Sequence, residues 1–83
     1  MTGEANGVVI GQIGGGSVQL VNTSGAAVDV SGWTVEDGIF RFVTLPPGST
    51  IPAGGSLQVA LPGDSDVVRL FRFDGTQVDG RRY

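Results

Sequence analysis

The sequence predicts an all-β domain, a sandwich of about seven short antiparallel strands joined by Greek-key links. Three observations carry this. Apolar and polar residues alternate at period two in short runs, as in Val18-Gln19-Leu20 and Leu57-Gln58-Val59. The 15 glycines and 4 prolines fall between those runs as punctuation rather than as one low-complexity block. Finally, no window of about 11 residues holds apolar positions at helical spacing without a glycine or proline interrupting it.

Taken in order, residues 8–13 read as a first strand and 17–22 as a second, with Val18 and Leu20 on one face and Ser17 and Gln19 on the other. Gly14, Gly15 and Gly16 turn the chain between them. Val28 and Val30 share a face, whereas Trp33 and Val35 have the opposite parity, so Ser31-Gly32 marks a bulge or corner. Asp37-Gly38 predicts a tight hairpin between residues 33–36 and 39–43, placing Phe40 and Phe42 inward and Arg41 outward. Leu45-Pro46-Pro47-Gly48 cannot continue a ladder, because proline donates no hydrogen bond, so residues 45–55 are expected to cross between sheets. Leu57, Val59 and Leu61 form an alternating strand, and residues 62–66 a polar turn. Val68 and Leu70 then point inward, leaving Val67, Arg69, Phe71 and Phe73 on the other face. Asp74-Gly75 closes a last hairpin into residues 77–83.

At 83 residues the chain is one domain, and such a chain buries only roughly 60% of its unfolded surface. Cysteine and histidine are absent, which removes disulfides, thiol and imidazole nucleophiles and the usual zinc ligands. All five basic residues are arginines, so no lysine amine is present for covalent chemistry. The net charge of -3 argues against a nucleic-acid partner. No apolar run approaches the ~20 residues of a membrane span, and residues 1–7 lack the features of an export signal. A soluble protein without membrane or nucleic-acid partners is expected.

The order of motifs resembles the lamin-tail domain, an immunoglobulin-like β-sandwich. The residues are Val18-Gln19-Leu20-Val21-Asn22-Thr23, Val30-Ser31-Gly32-Trp33-Thr34-Val35, Ile51-Pro52-Ala53-Gly54, Val68-Arg69-Leu70, Asp74-Gly75 and Val78-Asp79. The resemblance implies an immunoglobulin-like domain over residues 7–83 with a short arm over residues 1–6. Three departures stand out. Gly14-Gly15-Gly16-Ser17 replace the family's acidic and aromatic residues, the excursion near residues 61–64 is short, and Arg81 stands where an apolar residue is common.

Candidate functional residues follow from parity. Trp33 reads as the central core residue. Phe71 and Phe73 are large rings on an outward face among arginines, which points to a protein interface of Arg69, Phe71, Arg72, Phe73, Arg81, Arg82 and Tyr83. Asp64 and Asp66, or Glu36 and Asp37, offer oxygens for Ca²⁺, but neither pair approaches a six-oxygen cage, so both read as turn residues. Asp29, Asp74 and Asp79 read likewise. Ser24 and Ser31 have no base to activate them, and Gly14-Gly15-Gly16 is followed by no helix that would cradle phosphate. The expectation is a non-catalytic module without metal or cofactor. It docks on a larger homo- or hetero-oligomeric protein assembly, such as a virion decoration or surface layer. The alternative is a ligand-binding or adhesion domain of a larger secreted or surface protein, taking Ca²⁺, glycan or polymer.

Overall fold

The computed structural model describes residues 7–14, 16–38, 41–61 and 67–82. The arm over residues 1–6, the inward placement of Phe40, the turn holding Asp64 and Asp66, and Tyr83 lie outside the described residues. Among the described residues the chain is all-β and contains no helix. The strands are β1 (Val8–Gly14), β2 (Ser17–Asn22), β3 (Val28–Asp29), β4 (Thr34–Asp37), β5 (Phe42–Thr44), β6 (Thr50–Ile51), β7 (Ser56–Ala60), β8 (Val67–Phe71) and β9 (Gln77–Arg82). They form three antiparallel sheets, ordered β1-β2-β7, β3-β6 and β5-β4-β8-β9. The count exceeds the expected seven by two, the short pair β3 and β6, of which β6 lies in the 45–55 crossing. That strand escapes the prolines on either side for two residues and pairs Val28 with Ile51 and Asp29 with Thr50.

The two larger sheets share one core, which makes the arrangement sandwich-like. Val8, Ile10, Val18, Leu20 and Val59 enter it from the β1-β2-β7 sheet, and Val35, Val68 and Leu70 from the other. Val30, Trp33 and Leu45 fill the space from the connections, and Ile51 from β6. The expected inward parities of Val18 with Leu20, and of Val68 with Leu70, therefore match the burial. The corner at Ser31-Gly32 is also present. Gly32 sits at φ 78°, a left-handed conformation costly for other residues, and the amide of Trp33 donates to the Val30 carbonyl at 3.1 Å. Trp33 emerges on the inward side and is 3% exposed.

Phe42 is not inward. A two-residue Asp37-Gly38 turn would set Glu36 against Ile39, whereas the observed ladder sets Glu36 against Phe42 and Val35 against Val43. That three-residue shift is odd and so reverses the faces. Val43 packs against the core, and Phe42 is 55% exposed. Phe73 also departs from its expected place, because β8 ends at Phe71 and Phe73 stands in the following turn.

Two polar devices hold the sandwich together. The first braces the sheet edges. Asp79 and Arg81 face Leu70 and Val68 across the ladder, on the inward parity of β9. The Ile10 amide donates to Asp79 Oδ2 at 2.8 Å, and Arg81 Nη2 donates to the Ile10 carbonyl at 2.6 Å. Both backbone groups of one β1 residue are thus met by side chains of the facing sheet's edge. The second device is Asn22, completely buried at the end of β2. Its Nδ2 donates to the carbonyls of Ala26, Ile51 and Pro52 at 2.8, 2.9 and 3.2 Å, and its Oδ1 accepts from the amide and hydroxyl of Ser24.

Candidate docking surface

The β8–β9 turn is a three-residue loop closed by Gly75. The Arg72 amide donates to the Thr76 carbonyl at 2.8 Å, and the Gly75 amide donates to the Arg72 carbonyl at 2.9 Å. Gly75 takes φ 89°, as the last position of such a loop requires. The Thr76 amide donates to Asp74 Oδ1 at 2.9 Å, which locks the tip. Phe73 is left at the apex, 78% exposed, above the Gly32 corner, where an added Cβ would lie 3.4 Å from that of Phe73.

Phe42 reaches the same place from β5. Thr34 pairs with Thr44 on one side and Phe71 on the other, so β4 holds the Phe42 and Phe71 strands two positions apart in the sheet. Thr34, Phe42, Phe71, Arg72, Phe73 and Gly75 line a shallow open groove of about 300 Å³. Among the described residues, Phe42 and Phe73 are the large apolar side chains that stand exposed, and both border this groove. Scattered exposed apolar residues are ordinary, but two large rings flanking one concavity form a patch.

The seven expected interface residues divide. Phe71, Arg72 and Phe73 come together at the groove. Arg69 lies farther down β8, opposite Glu36 across the ladder, and its Nη1 meets Glu36 Oε1 at 3.1 Å. Half-exposed pairs of this kind contribute about 0–1 kcal/mol. Arg81 and Arg82 sit at the other end of the β8–β9 hairpin, opposite Val68 and Val67. There they line a second opening of about 380 Å³ with Gly11, Gln12, Ile13 and Gln19. Phe42 is the groove residue that sequence parity missed, and the length of the β4–β5 turn is what conceals it. Asp37, expected at a solvated turn, is fully buried. No group of three or more carboxylates suited to a metal ion occurs among the described residues.

Two carboxylates are held below their ordinary range by hydrogen bonds. Asp29 accepts from the hydroxyl of Ser31 at 2.6 Å and from its amide at 2.9 Å. Asp74 is lowered chiefly by the Thr76 amide, then by the Thr76 hydroxyl, with a smaller contribution from the Arg72 charge. A depressed folded-state pKa means that the unfolded chain binds more protons in that window, so stability is present above the ordinary value of 3.8 and lost as pH falls through the folded values. The melting temperature is therefore expected to fall below about pH 4, with a shallower decline in the Asp29→Asn/Asp74→Asn double variant. Melting curves between pH 5 and pH 2 check this. A wild-type slope retained by the double variant contradicts it.

The fold and groove thus describe an all-β, sandwich-like domain with an aromatic-edged concavity. No family model matches the chain, and no curated protein was found to be similar to it.

Proposed function

We propose that this chain is a non-catalytic docking module that seats on a larger protein assembly through the Phe42–Phe71–Phe73 groove. A virion decoration or a surface layer is the kind of assembly it suits. The observation that supports this reading is the convergence of two exposed phenylalanines, one from β5 and one from the β8–β9 turn, on one groove with an arginine at its wall. A ring of this size buries about 150–250 Å² when covered, and full burial of a phenylalanine contributes about 1.5–3 kcal/mol. Rigid aromatics beside arginine are the usual anchors of protein interfaces. Binding to the folded form would also stabilise a domain whose core is small. The proposal includes a compact lamin-tail-like scaffold, with immunoglobulin-like Greek-key connectivity. The long-range neighbours β2-β7 and β4-β8 support that connectivity by requiring the chain to cross between sheets.

The test places a photo-crosslinking phenylalanine analogue at position 73, in cells of the source organism. One discrete protein adduct is expected. Phe73→Ser and Phe42→Ser should each weaken its binding at least tenfold by calorimetry, while the melting temperature of the free domain shifts by about 2 °C or less for Phe73→Ser, whose ring stands largely in water, and by more for Phe42→Ser, whose ring is about half covered. No discrete adduct, or an affinity indifferent to both substitutions, rejects the proposal.

A further inference from the structure

The strand edges of the molecule are not alike. The β1 edge is met at Ile10 by Asp79 and Arg81. The β9 edge carries Asp79, Arg81 and Arg82, and β5 has only three residues. Charge, coverage and shortness are the usual means by which exposed edges avoid pairing with other chains. β3 and β6 have only two residues each, and among the described residues the β7 edge lacks all three protections. It runs Ser-Leu-Gln-Val-Ala through five residues paired to β2 in unbroken register, with no charge, proline or bulge.

The direction of its backbone groups follows from the ladder. The amide and carbonyl of Ile10 are bonded to β9 side chains, so they point away from β2, and Ile10–Leu20 is a non-hydrogen-bonded pair. The backbone of Leu20 therefore faces β7. The Asn22 amide donating to Gly55 and the Leu61 amide donating to Gly16 fix the same parity at both ends. Leu57 and Val59 accordingly bond to β2, while the amides and carbonyls of Ser56, Gln58 and Ala60 point outward. Among the described residues, no hydrogen bond reaches these groups.

We propose that β7 is a self-association edge. Two copies pair antiparallel along Ser56–Ala60 about a two-fold axis at Gln58, which joins their sheets into one. The register is self-complementary. Gln58 meets Gln58, and Ser56 meets Ala60, in pairs that exchange backbone hydrogen bonds, while Leu57 lies opposite Val59 on the core side. Ser56, Gln58 and Ala60 are all exposed, and two of them are small. No residue of β1, β2 or β7 is charged, so the -3 of each copy does not meet itself across the axis. These features select a second copy of this chain as the occupant. The arrangement leaves the aromatic groove open and does not depend on the docking proposal.

A five-residue edge buries less than the roughly 1,200 Å² of a standard interface, so the association is concentration-dependent. Light scattering from about 10 µM to about 1 mM is expected to show the weight-average mass rising toward twice that of the monomer. Gln58→Lys sets two ammonium groups on the axis. Gln58→Pro removes an outward amide that the β2 ladder does not use. Both should hold the mass at the monomer value, and Gln58→Lys decides the matter if the proline variant does not fold. In amide exchange at the higher concentration, Ser56, Gln58 and Ala60 should slow at least tenfold, with Leu57 and Val59 unchanged. Three results overturn the proposal. They are a monomer at about 1 mM, association that survives Gln58→Lys, and association abolished by Phe73→Ser but not by Gln58→Lys.

Discussion

Asn22→Ala is expected to lower the melting temperature by about 15 °C, more than any other single polar substitution in the described part of the chain. The side chain is completely buried and joins three segments: the end of β2, the 23–27 loop, and the passage from β6 toward β7. Truncation removes both polar ends and takes a buried donor from the Ile51 carbonyl, while the carbonyls of Ala26 and Pro52 lose one of two donors and keep the Ser24 hydroxyl and the Gly55 amide. Each intramolecular hydrogen bond contributes about 0.5–1.5 kcal/mol net, and each polar group stranded in the interior costs about 1–3 kcal/mol. A loss of about 3 kcal/mol is a conservative sum, and 1 kcal/mol moves the melting temperature of a domain this size by about 4–8 °C. Asn22→Asp keeps the acceptor for Ser24 but turns a carboxylate toward the three carbonyls, so it should be at least as damaging. Ser24→Ala leaves the three Nδ2 bonds in place and should cost about 1 kcal/mol or less. Thermal melts of the three variants test the ranking. An Asn22→Ala domain melting within about 3 °C of the parent would refute this role.

Parity made most of the core legible in the sequence. Val18, Leu20, Val59, Val68 and Leu70 alternate with polar residues, and all are buried. The same rule contained two signals that hydrophobicity hid. Asn22 continues the parity of Val18 and Leu20, and a polar residue on a buried face must find hydrogen-bond partners. Asp79 and Arg81 occupy the inward parity of β9, where an apolar pair would extend the core. Their polar ends instead cap an edge strand that would otherwise present bare backbone. Phe42 was concealed for a different reason. Its face depends on the number of residues in the β4–β5 turn, and Asp37-Gly38 signals a turn without fixing its length. The two-residue strands β3 and β6 are too short to have a period at all. The aromatic groove was half legible, since Phe71 and Phe73 are local to one hairpin, whereas Phe42 reaches them only through sheet pairing that spans β4.

Trp33→Ala should remove about 3–5 kcal/mol, the usual cost of truncating a buried large aromatic. A chain of 83 residues at about 0.05–0.15 kcal/mol per residue has about 4–12 kcal/mol in total, so this substitution leaves the domain at or near the point of unfolding. The position explains the size of the effect. Trp33 follows the Gly32 corner, and its carbonyl accepts from the Leu45 amide at 2.7 Å while the Gly32 amide donates to the Leu45 carbonyl at 2.9 Å. The indole is thus fixed where the chain enters β4, in the same core as both larger sheets. Trp33→Phe keeps most of the apolar volume and should cost about 1–2 kcal/mol, which separates volume from aromaticity. Because Trp33 is the single tryptophan, its emission reports on the core directly in the parent protein, and far-ultraviolet circular dichroism follows the variants through urea unfolding. Midpoints for Trp33→Ala and Phe73→Ala should differ widely, because one ring is 3% exposed and the other 78%. Equal midpoints would mean that the indole does not support the sandwich.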